Sequence, residues 1–82
     1  MTADELLQRH PRETLRWLRG RLGLSRLALA ARIGVSVESV GHWEAGRTRL
    51  AVRHHRPLAL LLAPELATPE GRAWLATLGE DA

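Results

Sequence analysis

An all-α fold is predicted for this 82-residue chain by three observations. Apolar residues recur at helical spacing, cap residues mark the ends of successive segments, and no stretch alternates apolar and polar with a period of two. The length allows one domain over 1–82. A chain this small buries only about 60–65% of its unfolded surface, so association would add stability.

The first helix starts at a capping box, Thr2-Ala3-Asp4-Glu5, and runs to about residue 9 before Pro11 stops it. Pro11 then suits the first position of a helix over 11–22, where its missing N–H costs nothing. Leu15, Leu18 and Leu22 form one face of that helix; Trp17 lies off the stripe, and Gly20 weakens the helix with no evident gain. Residues 25–46, SRLALAARIGVSVESVGHWEAG, read as two short helices joined by a tight turn. Ser25 and Ser36 are the N-caps, while Gly34 and Gly46 end the two helices. A turn of this length containing glycine is the helix-turn-helix signature, and Ala30 lets the helices cross closely. Next comes a basic connector, 47–49, and a helix from about 53 or 54 to 63, with Pro64 ending it. Thr68-Pro69-Glu70 opens a last helix over 69–78, with Gly79 after it.

Framed as LSxxxLAxRIGVSxxxVxxWExG, residues 23–46 resemble the phage-repressor and Cro type of helix-turn-helix domain, with the similarity spreading over 12–63. The resemblance implies a compact five-helix bundle whose central helix-turn-helix sets one helix into the major groove of double-stranded DNA. Charge agrees with a polyanion partner. Residues 9–56 hold eleven arginines against three acids, a net of +8, whereas 1–8 and 57–82 carry −2 and −3. All twelve cations are arginine, so the location of the charge says more than the choice of residue.

Other classes fit poorly. With no cysteine there is neither a disulfide nor a thiolate metal site. His54 and His55 are adjacent and point about 100° apart on a helix, and His10 and His42 lack an i,i+4 partner, so no metal or other cofactor is expected. Three serines and no phosphate-cradling glycine loop argue against an enzyme. The start MTADELLQRHPRE lacks the features of a signal peptide, and the apolar run 58–63 is too short for a membrane span. A soluble cytoplasmic protein is expected.

Transferred position by position, the resemblance makes Val37, Glu38 and His42 the base-reading residues. Val37 suits a thymine methyl, Glu38 a cytosine amino group and His42 a guanine acceptor. For Glu38 the alternative is a solvated helix residue. The phosphate-contact candidates are Arg26, Ser36, Ser39, Arg47, Thr48 and Arg49. Arg26 begins a helix, where a cation opposes the dipole, so an external anion would explain it. The resemblance also pairs Glu44 with Arg19 as a structural ion pair. Leu27 and Leu50 depart from the family pattern, Leu27 as an interface candidate and Leu50 where a proline often stands. The last helix lies outside the resemblance. Its apolar residues Trp74, Leu75 and Leu78 would face either the helix over 11–22, through Trp17, or the same helix of a second chain; the second chain is favoured as the dimer interface.

The sequence therefore predicts a sequence-specific transcriptional regulator, a repressor that binds a palindromic operator as a homodimer. Rival readings are the antitoxin of a toxin–antitoxin pair, with a toxin partner, and a protein-interaction module that has lost DNA binding.

Overall fold

The computed structural model describes residues 1–78, and Gly79, expected to close the last helix, lies outside them. Six α-helices occur in the order α1 (Ala3–Arg9), α2 (Pro11–Leu22), α3 (Arg26–Ile33), α4 (Val37–Ala45), α5 (His55–Leu66) and α6 (Pro69–Thr77), with a 3-10 turn at Val52–His54. The six helices are those read one by one from the sequence, one more than the five-helix bundle that the resemblance implies, and no strand occurs among the described residues.

Local chemistry accounts for most helix ends. The Thr2 hydroxyl accepts from the Glu5 N–H while the Glu5 carboxylate accepts from the Thr2 N–H, both at 3.1 Å. Ser25 and Ser36 cap α3 and α4 by accepting from Ala28 N–H at 3.0 Å and Ser39 N–H at 3.1 Å. Gly34 takes φ 74°, ψ 36°, and the Val35 N–H then reaches the Ala30 carbonyl at 3.0 Å. A side chain at this left-handed position would be strained, so the short turn between α3 and α4 depends on glycine.

One buried cluster draws on all six helices: Leu6 and Leu7 of α1, Leu15 and Leu18 of α2, Leu29 and Ala30 of α3, Val40 and Trp43 of α4, Leu58 and Leu62 of α5, and Leu75 of α6. Each fully buried leucine contributes about 1.5–3 kcal/mol. Helix α4 packs on α3 and α2, while α5 packs on α1, α2 and α6, so α2 joins the two halves.

The second half departs from expectation. Pro64 does not end α5, which continues to Leu66. The bond that proline cannot donate would have gone to Leu60, which sits on the exposed side of the helix at 69% exposure. The added turn carries Glu65 to Arg21, at 3.0 Å, and packs Leu66 against the core. Thr68 then reverses the chain, its hydroxyl donating to the Glu65 carbonyl at 2.6 Å and accepting from the Gly71 N–H at 3.0 Å. Gly71 passes so close to the end of α5 that a Cβ there would strike the Glu65 carbonyl oxygen and come within 2.7 Å of Leu66 Cα.

This hinge folds α6 back onto its own chain and against α2, the arrangement through Trp17 that the sequence offered beside a second chain. Leu75 lies in the core, Leu78 packs half-buried against it, and Trp74 stacks on Trp17 with ring centres 4.4 Å apart and planes 8° from parallel. The Arg21 guanidinium lies 5.8 Å from the Trp17 ring centre and also pairs with Glu65, tying α2 to α5 beside the stack. Trp74 and Leu75 thus both find partners within one chain.

Candidate nucleic-acid interface

Helix α4 divides sharply between an inner and an outer face. Val40, Trp43 and Glu44 point inward and are buried, whereas Glu38 and His42 are exposed on the other side and Val37 is exposed in the first turn of the helix. A Cβ on Gly41 would meet nothing within 4 Å, so the outer face has room beside His42. The three base-reading candidates are thus all exposed on α4. The Ser36 and Ser39 hydroxyls lie 3.0 Å apart, and Ser36 is engaged in capping. Arg47, Thr48 and Arg49 follow Gly46 and are exposed. Arg12 of α2 joins them, its Cδ lying where a Cβ on Gly46 would come within 3.2 Å. Arg12 is missing from the sequence-based site, because only folding brings the start of α2 to the end of α4.

What fixes α4 is a charged cluster around one fully buried carboxylate. Glu44 accepts from Arg19 Nε at 2.7 Å and Arg19 Nη2 at 2.8 Å, a two-pronged pair. Arg26 Nε donates to the same carboxylate at 3.3 Å. Arg16 Nη2 donates to the Glu44 backbone carbonyl at 2.9 Å, and its Nε lies 3.8 Å from the carboxylate. Arg19 also holds the Leu24 carbonyl at 3.3 Å, at the exit of α2. One anion therefore ties together α2, α3 and α4.

Burial alone would raise the Glu44 pKa. The hydrogen bonds and charge of Arg19, followed by those of Arg26, more than offset it, so the carboxyl sits below its usual range. The Arg19 pKa is raised by its hydrogen bond to Glu44. Three arginines around one carboxylate leave a surplus of two positive charges, with the Arg16 and Arg26 side chains about half exposed (55% and 50%). Arg26, expected to need an external anion, has an internal one. Arg16 was absent from the sequence-based site because its partner is 28 residues away.

The adjacent His54 and His55 have different partners. His54 packs at a tilt against Trp43, with ring centres 5.1 Å apart, and burial followed by the charge of Arg53 lowers its pKa. His55 is buried, with Nδ1 3.8 Å from the Asp4 carboxylate and Nε2 without a hydrogen-bond partner.

Two capped helices, a glycine turn and an outward polar face beside exposed arginines define a helix-turn-helix DNA-binding module. Residues 15–54 match the family model described as Helix-turn-helix, and this segment is a helix-turn-helix domain. Domains of this kind bind DNA in transcription regulation, and that general role extends to this chain. No curated protein and no solved structure matches the chain. Among the described residues no helix is long and apolar enough to cross a membrane.

Proposed function

We propose that the protein is a sequence-specific repressor that binds a palindromic operator as a homodimer, and that 1–82 acts as one DNA-binding unit. The observation that carries this reading is the two-sided character of α4. Its inner face is locked by Glu44 onto arginines of α2 and α3, which leaves Val37, Glu38 and His42 outward at a fixed angle. A reading helix needs such rigidity, because base contacts discriminate only when their geometry is held.

In this reading Val37, Glu38 and His42 meet base edges, while Arg47, Thr48 and Arg49 grip the phosphates beside them, joined by Arg26 and the Ser36–Ser39 pair at the other end of the motif. Arg16 and Arg26 add surplus positive charge along that side. Two protomers related by a two-fold axis would present their α4 helices about 34 Å apart, one turn of B-DNA. Because Leu75 is buried and Trp74 is stacked on Trp17 within one chain, this reading puts the dimer contact on a surface other than the inner face of α6.

Selection of bound duplexes from a random pool tests this directly. A palindromic consensus is expected, and Val37→Ala, Glu38→Ala and His42→Ala should each change the preferred bases, with about 1–3 kcal/mol of discrimination per lost contact. If all three variants select the parental site unchanged, the reading face lies elsewhere.

A further inference from the structure

Beside the proposed DNA face lies an open groove of about 440 Å³, lined by residues of α1, the start of α2, the end of α4 and the connector to α5. Its walls are of two kinds. Trp43 and Leu50, only 5% and 4% exposed, make an apolar floor, while Arg12, Arg47 and Arg49 stand exposed at the rim. None of these three arginines has an acidic partner among the described residues. His55 belongs to the same lining, and its buried Nε2 has no hydrogen-bond partner. Buried polar nitrogens ordinarily have one.

The geometry points to a binding site for a small amphipathic anion, an aromatic carboxylate, within this groove. The volume is that of a small-molecule site, and an apolar floor with a few polar groups is the usual make-up of such sites. A DNA phosphate would use the arginines but leave the apolar floor empty. An aromatic carboxylate uses both: its ring lies against Val52, which is 79% exposed, over the floor of Trp43 and Leu50, and its carboxylate meets the rim arginines. The site stands independently of the DNA reading. Its consequence rests on that reading, because Arg47 and Arg49 would serve both ligands. A carboxylate on them lowers affinity for DNA, which makes the groove an effector site.

The test follows amide and indole NMR shifts of the full chain during titration with 2-naphthoate, beside two controls: 2-naphthalenemethanol, which lacks the charge, and inorganic phosphate, which lacks the ring. Saturable binding of 2-naphthoate is expected with a Kd of about 1 mM or tighter, a value suited to so few heavy atoms. Shifts should centre on the Trp43 indole, residues 47–52 and His55. Arg47→Gln and Arg49→Gln, both at exposed positions, should each weaken binding about two- to five-fold. Equal binding of the neutral alcohol, equal binding of phosphate, or shifts centred on α6 would overturn the proposal. Adding a random-sequence duplex at low salt separates the two claims. Displacement of 2-naphthoate supports the shared arginines, and retention of it overturns the effector role. A chain that binds the duplex but not 2-naphthoate disproves the groove alone, and one that binds 2-naphthoate but not the duplex disproves the DNA reading alone.

Discussion

Replacing Arg19 by methionine leaves Glu44 fully buried with one long side-chain hydrogen bond, from Arg26 at 3.3 Å, and a distant contact with Arg16 at 3.8 Å. The two short bonds at 2.7 and 2.8 Å are gone, and so is most of the charge that offsets desolvation of the carboxylate. Breaking a buried ion pair from one side costs about 3–5 kcal/mol. A chain of this length has a total stability of about 4–12 kcal/mol, so Arg19→Met should remove a large part of it. The melting temperature should fall by about 12 °C or more. Arg26→Met and Arg16→Met act on half-exposed partners and should each cost about 1 kcal/mol or less. Urea unfolding at neutral pH, followed by far-ultraviolet circular dichroism, orders the three variants. Should Arg19→Met cost no more than Arg26→Met, Glu44 is not held as described.

The same cluster sets an acid limit. The Glu44 pKa is depressed on folding, so its stabilisation is fully present above the ordinary carboxylate range, near 4.3, and is lost as pH falls below that range through the folded-state value; a urea midpoint flat from pH 7 down to 3 would contradict this. Gly20→Ala should raise stability by about 1 kcal/mol, since a Cβ there meets nothing and α2 gains propensity; a loss on urea unfolding would show a contact not accounted for. Gly71→Ala should instead destabilise the chain by about 1–3 kcal/mol, because its Cβ collides with the backbone at the end of α5. Trp74→Ala should expose Trp17 and shift its fluorescence to the red while the chain stays monodisperse; a change of oligomeric state in sedimentation would return α6 to a dimer interface.

The helix-turn-helix was legible in the sequence because short-range chemistry decides it. Ser25, Ser36, Gly34 and Gly46 act within three to five residues of themselves, and each fixes a helix end whatever the rest of the chain does. The extension of α5 past Pro64 was not legible, because the contacts made by the added turn, Glu65 with Arg21 and Leu66 with the core, join residues far apart in the chain. The docking of α6 likewise depends on Trp17 meeting Trp74, fifty-seven residues later, and on the close approach at Gly71. At the site, the pairing of Arg19 with Glu44 was read from the family resemblance alone. The addition of Arg16 and Arg26 to the same carboxylate is a product of three helices converging, which no local pattern records. Arg12 is the same case at the groove, where its place beside Gly46 arises only on folding.

Binding of the wild-type chain to its selected duplex, measured across a series of salt concentrations, tests the central claim most directly. With about four phosphates neutralised per protomer, a dimer should lose affinity with a log–log slope of about −7. Arg47→Ala and Arg49→Ala should each flatten that slope by about one while weakening specific and random duplexes alike. A slope near zero, or one that neither substitution changes, would contradict the account.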